Sequence, residues 1–384
     1  MKLLLLSMPS IHVVRWIENL KDTTIDLYWF DILNRGELAT EVNLVQITNW
    51  HKRKRSPIKG EYWLSKKLPS LHQKIQPFLE VTVEEKFREI LQSIQPDVVH
   101  SFEMHSSTIP ILKVMNDFPS IKWVYSCWGS DLFYYQNFPQ KNTQIKATLQ
   151  RINYMHTDCQ RDYEIAKQLG FTGKHLGIIP GGTGYKLAEL EAYKKPHNSR
   201  NIILVKGYQH HVGRGINIIK ALHQINAKVE QNNLKVVVFG AHQPVIDYIN
   251  QNQLKYEYFD RHGLSHQELL QLMGESLICI GNSTSDGMPN TLLEAIVMGA
   301  FPIQSNPGNV TSEIIQNAIN GLLIENPDSV EEIASHVFSA INSKEMLENA
   351  VVVNQQIAIN RLEYALNKQK VIDLYLQIEK ELCE

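Results

Sequence analysis

Apolar residues along this chain fall in short runs of strand length: Leu3 to Leu6, Leu27 to Phe30, Leu44 to Ile47, Val98 to His100 and Trp123 to Ser126. Segments with helical spacing, such as Glu84 to Ile94, lie between them, and this alternation predicts βαβ units on a parallel sheet. Lys194-Lys-Pro-His-Asn-Ser-Arg200 has the composition of a linker. The rhythm then restarts with Asn201 to Val205, Val236 to Phe239 and Leu277 to Ile280, followed by Phe301 to Gln304. Two doubly wound α/β domains are expected, with ligands at the carboxyl ends of the strands. From Asn360 to Glu384 the pattern is one long amphipathic helix, striped by Leu362, Ala365, Leu366, Val371, Leu374 and Ile378.

At 384 residues the chain can bury two cores, and 43% hydrophobic against 20% charged residues excludes disorder. A net charge of −2 gives nucleic acid no basis as a partner. Cys127, Cys159, Cys279 and Cys383 form no C-x-x-C pair, so neither a zinc site nor a disulfide framework is expected, and a reducing cytoplasm fits. The leucines after Met1 stop too soon for a signal sequence and read as a first strand; no apolar run is long enough to span a bilayer.

The most informative stretch is Gly281 to Gly299, GNSTSDGMPNTLLEAIVMG. A buried strand ends in a small, polar loop, and a helix starts near Asn290 and carries Leu292, Leu293, Ile296 and Val297 inward. Free N–H groups and the positive dipole end of that helix favour an anion such as a diphosphate. Asp286 in the loop and Glu294 in the helix offer acceptors for sugar hydroxyls. The plainer reading is an ordinary strand–loop–helix unit with solvated acids.

These residues resemble the E-x7-E signature of retaining GT-B glycosyltransferases of family 4, with Asp286 in the first acidic position and Glu294 in the second. The resemblance implies two Rossmann-like domains facing a cleft. Residues 1–190, joined by a returning helix at about 363–384, would bind the acceptor, and residues 200–362 the nucleotide sugar. Glu294 would take the ribose hydroxyls, Asp286 would lie near the transferred sugar, and Gly287, Met288, Pro289, Asn290 and Thr291 would line the donor.

Leu204-Val-Lys-Gly-Tyr-Gln-His-His-Val-Gly-Arg-Gly215 is a strand feeding a Gly-rich loop, able to set Lys206 and Arg214 beside a phosphate. By resemblance Arg214 takes the family's Lys position, Tyr208 stands where the family has Arg, and Lys206 is a candidate for the missing charge, with Gly207 close to the donor. Trp123-Val-Tyr-Ser-Cys-Trp-Gly-Ser-Asp131 is similar to the family's H-G-x-D segment, with Trp128 in place of His; Asp131 would accept from a substrate hydroxyl or serve as a helix cap. Glu103 and His105 are candidates on the acceptor side, and His100 reads as structural. Ile178-Ile-Pro-Gly-Gly-Thr-Gly184 resembles the P-N-G hinge, with Gly181 for Asn. In Asn306-Pro-Gly-Asn-Val-Thr-Ser-Glu313, Gly308 would approach the nucleotide and Glu313 would cap the following helix.

The reaction implied is transfer of a hexose from a UDP- or GDP-linked donor to an acceptor hydroxyl, in bacterial surface glycan or glycolipid synthesis. No protein nucleophile and no cofactor are expected; the sequence contains no D-x-D, so no metal is expected either. A nucleotide-sugar 2-epimerase, or a non-catalytic scaffold of the same fold, are the alternatives. Between Lys52 and Lys74 stand eight Lys or Arg against one acid, Glu61, among Tyr62, Trp63, Leu64, Leu68 and Leu71. That mixture suits an anionic membrane surface or a charged lipid-linked acceptor, hence peripheral attachment at the inner face; a solvated loop explains it equally.

Overall fold

The computed structural model describes residues 1–57 and 59–383, without the side chain of Gln73. Position 58 of the basic segment and position 384 of the predicted tail helix lie outside the described residues. The chain divides into two compact units: Met1–Thr157 with Tyr163–Gly177 and Val371–Glu384, and Asp158–Asp162 with Ile178–Lys370.

The first unit carries a seven-stranded sheet in the order β3-β2-β1-β4-β5-β6-β7. These strands are β1 (Lys2–Ser7), β2 (Asp26–Asp31), β3 (Val45–Ile47), β4 (Val98–Phe102), β5 (Lys122–Ser126), β6 (Tyr154–Thr157) and β7 (Lys174–Ile178). The pairs from β3 through β6 are parallel. The second sheet, in the order β10-β9-β8-β11-β12-β13, is also parallel. It comprises β8 (Ile202–Lys206), β9 (Lys235–Phe239), β10 (Glu257–Tyr258), β11 (Ser276–Gly281), β12 (Phe301–Ser305) and β13 (Leu322–Ile324).

Every expected strand forms, for one physical reason: both faces of each sheet are covered, so central strands are apolar at successive positions. In the second sheet Ile203, Val205, Ile278, Ile280 and Ile303 enter one core, while Ile202, Leu204, Val237, Phe239 and Cys279 enter the other. In both sheets chain order reverses at the centre, between β1 and β4 and between β8 and β11. The loops leaving those strands are where a doubly wound sheet holds its ligand.

The last helix runs Tyr364–Cys383, shorter than expected because Ala358–Leu362 winds as a π-helix ahead of it. Its residues from Val371 count with the first unit. Tyr375 anchors it there: its hydroxyl accepts from Trp16 Nε1 at 2.8 Å and meets His100 Nδ1 at 2.6 Å. His100 Nε2 reaches Ser126 Oγ at 2.6 Å, and Ser126 Oγ also bonds His156, which stacks on Trp16. All of these groups are buried. The polar Lys194–Arg200 segment belongs to the second unit, where Arg200 is buried and donates to the carbonyls of Lys195, Ser276 and Met298.

Candidate functional site

In the second unit the site is built on the loops that leave β8 and β11. The helix Asn290–Met298 follows β11 and is buried on all sides from Leu292 to Met298, Glu294 included. Glu294 is tolerated there because His266 Nε2 meets its Oε1 at 2.8 Å. Its Oε2 has no hydrogen-bond partner among the described residues.

Ahead of that helix, Pro289 is the N-cap and supplies no side-chain acceptor, so the first-turn N–H groups are not capped by it. Asp286 is half-buried and accepts from the Gly287 N–H at 3.0 Å. Burial raises its pKa, and the chief opposing influence is the charge of Lys206. Lys206 at the end of β8 has its Nζ 4.9 Å from the centre of the Tyr208 ring. Arg214 heads the helix Gly215–Gln224; its Nε donates to Asp328 at 2.8 Å and its Nη1 to the carbonyls of His210, His211 and Gly213. The Arg214 backbone N–H donates to Asn282, and Thr284 N–H donates to Val212, so the two loops are laced together.

Two glycines are dictated by close approach. A Cβ at Gly287 would stand 2.3 Å from Asp158 Oδ2, and one at Gly207 would stand 2.7 Å from Val238 Cγ1. Met288 is buried and its N–H donates to Asp158 Oδ2; Asn290 and Thr291 are half-buried. Gly181 sits beside the Asn290 side chain. Gly308 adopts φ 61° in the turn Pro307–Asn309.

Several site residues were not foreseen. Asp158, Cys159 and Asp162 lie with their ligand-type atoms within 4.8 Å of one another. Arg161 donates to Asp162, to the carbonyl of Asp286 at 2.7 Å and to the carbonyl of Pro307 at 2.6 Å, tying the signature loop to the Gly308 turn. Burial and the Asp162 charge push the Asp158 carboxyl well above the usual range. The signal was present as two acids and an arginine crowded behind the β6 run. Glu313 does not cap the helix that follows it in sequence. It accepts from the N–H groups of Gln160 and Arg161, capping the helix Gln160–Gln168 instead.

In the first unit the predicted residues gather at the ends of β4 and β5. Asp131 is buried, and both its oxygens are occupied by the N–H of Met104 (2.9 Å) and Trp128 (3.0 Å), Tyr125 Oη (2.6 Å) and Cys127 Sγ (3.3 Å). It holds the β4 and β5 loops together. Glu103, at φ 68°, accepts from the N–H groups of His105 and Ser106 and caps the π-helix Met104–Thr108. His105 Nε2 donates to the Asp131 carbonyl, and burial lowers the imidazole pKa. Trp128 is half-buried, with His12 edge-on at 5.9 Å.

A cavity of about 540 Å³ lies at the far end of the Asn290–Met298 helix, against Val297, Gly299 and Arg200, and contains none of the predicted residues. A smaller one of about 200 Å³ touches Asp158, Met288 and Pro180.

Two doubly wound parallel sheets, each with its strand order reversed at the centre, are the GT-B fold. Two family models match the chain in turn: Glycosyl transferase 4-like over residues 2–159 and Glycosyl transferases group 1 over residues 188–353. Among solved structures it is similar to HepE of Anabaena in complex with UDP and glucose, with a TM-score of 0.68 at 15% identity over 98% of this chain and 100% of that one. Sucrose-phosphate synthase of Thermosynechococcus elongatus matches with a TM-score of 0.71 at 13% identity over 99% of both chains. A glycosyltransferase of Rickettsia africae gives 0.64 at 16% identity over 100% of this chain and 98% of that one. The search of curated proteins returns no match.

Proposed function

We propose that the chain is a retaining, metal-independent hexosyltransferase that takes its sugar from a nucleotide diphosphate donor held in the second unit. The observation that carries this reading is Glu294: a buried carboxylate, one oxygen held by His266 and the other without a partner, on the helix that leaves the signature loop. A ribose hydroxyl is a fitting donor for that oxygen. Lys206, the Arg214 loop and the N–H groups ahead of Leu292 favour the diphosphate, whose charge grows as the glycosidic bond opens. Asp286 orients the sugar, and Gly308 approaches the nucleotide. In the transfer the donor C1–O bond breaks, the acceptor oxygen bonds C1 on the same face, and the acceptor proton passes to the departing phosphate. No side chain need act as nucleophile. HepE, determined with UDP and glucose, supports a UDP-sugar as the first donor to try.

The acceptor is proposed to be a lipid-linked or surface glycan met at the inner face of the membrane, on the Trp128, Glu103 and His105 side of the first unit. The helices Glu61–Lys67 and Pro69–Leu79 support this. The first buries no residue, and Tyr62, Trp63 and Phe78 are 77%, 59% and 68% exposed. Arg53 is paired with Glu61 and Glu80, and Lys54 with Glu85, whereas Lys52, Arg55, Lys59, Lys67 and Lys74 have no acidic partner among the described residues. Aromatic side chains beside unpaired cations suit an anionic interface. Among the described residues no helix is long and apolar enough to cross a membrane.

A thermal-shift screen of UDP, GDP, ADP and CMP and their sugars tests the donor reading, because a ligand that binds only the folded state raises its melting temperature. One base class is expected to stabilise the protein. No shift with any of them contradicts the proposal.

A further inference from the structure

The Gly-rich loop after β8 gathers imidazoles that the donor reading has not used. Tyr208, standing where the family has Arg, stacks on His242 with ring centres 5.4 Å apart and carries Lys206 over its ring. His210 lies 5.8 Å from His242 and 5.2 Å from His211. The arrangement is held by backbone bonds: Gly207 N–H donates to Phe239, and His242 N–H to Gly207.

The hydrogen bonds settle the tautomers. His210 Nδ1 accepts from the N–H groups of Val212 and Gly213, both at 3.3 Å, so the neutral ring carries its proton on Nε2. His242 Nδ1 donates to the Gln209 carbonyl at 2.9 Å, so its neutral ring has a bare lone pair on Nε2. Neither Nε2 has a hydrogen-bond partner among the described residues. Besides burial, every influence acting on His210 comes from a cationic or ionisable basic group, His211, His242, Lys206 or Arg214, and all of them lower its pKa. Among the described residues no carboxylate is hydrogen-bonded to His210 or His242 themselves, while Arg214 is paired with Asp328.

We infer that His210 and His242 stand in for the missing arginine, presenting their Nε2 atoms to the donor diphosphate, His210 as a donor at every pH and His242 as a donor only when protonated. The inference rests on the donor reading above and deepens it: nucleotide-sugar binding takes up a proton on His242. The groups facing His242 are the Tyr208 ring, His210 and, over Tyr208, Lys206.

The test is calorimetry of UDP-glucose, GDP-mannose and ADP-glucose, whose diphosphate diesters do not ionise near neutrality, in two buffers of different protonation enthalpy at about pH 6 and about pH 8. The wild type should take up part of a proton and bind more tightly at the lower pH, by up to about tenfold for each unit by which the anion raises the imidazole pKa. His242→Asn keeps a donor for the Gln209 carbonyl and should abolish both effects. His210→Asn keeps an acceptor for Val212 and Gly213 and should weaken binding equally at the two pH values. Binding that Glu294→Ala weakens but that neither histidine variant nor pH alters overturns this inference and leaves the donor site standing. If no nucleotide sugar binds at either pH, the donor site falls and the inference with it.

Discussion

The carboxylates of the two units are used in opposite ways. In the first unit Asp131 and Glu103 spend their oxygens on neighbouring backbone and side-chain donors, and the loops they organise are held by them. In the second unit Glu294 keeps one oxygen without a partner, and the imidazoles of His210 and His242 each keep one nitrogen so. A carboxylate whose oxygens are engaged by neighbouring donors maintains shape, whereas an open acceptor or donor within reach of solvent is available to a ligand. Asp131 and Glu103 therefore position their loops, as Glu313 does in the second unit, whereas Glu294 keeps an acceptor open.

Breaking this contrast should have its largest effect at Asp131. Asp131→Ala strands the N–H groups of Met104 and Trp128 and the Tyr125 hydroxyl, and should cost about 3 kcal/mol or more of stability by denaturant unfolding, with nucleotide affinity unchanged. A full-stability variant would return Asp131 to the list of substrate contacts. Acid comes next. Burial holds His100 well below its usual pKa and His156 down to about 3. A depressed folded pKa gives stability that is present above the unfolded value of about 6.5 and is lost as pH falls through the folded one. Unfolding of the first unit should ease by on the order of a few kcal/mol over that window, and His156→Phe should flatten the slope by about one proton. An unchanged slope refutes the neutral buried pair. The smallest effect on the fold is expected on the exposed hairpin: Trp63→Ser with Phe78→Ser should shift stability by no more than about 0.5 kcal/mol, yet reduce sedimentation with anionic vesicles by about tenfold. Equal binding to anionic and neutral vesicles removes the membrane proposal.

The sheets were legible because two-sided burial writes itself as uninterrupted apolar runs, and the signature loop because Asp286 and Glu294 stand at a fixed spacing around a helix start. What local pattern could not show was which partner an acid meets across the fold. Glu313 turned to the helix Gln160–Gln168, His266 came to Glu294 from 28 positions away, and Arg161 reached the Asp286 carbonyl from 125 away. Each is a long-range bond with no periodicity to announce it. The internal donors of Asp131 were hidden for a related reason, since a carboxylate at a strand end has the same spacing whether its donors come from a ligand or from Met104.

The central claim is that Glu294 holds the donor by its unpartnered oxygen, and isothermal calorimetry of a nucleotide sugar with Glu294→Ala tests it most directly. The variant should remain folded and bind more weakly by about 1.5 to 3 kcal/mol, the range of a charge-assisted hydrogen bond. Equal affinity in wild type and variant would contradict it.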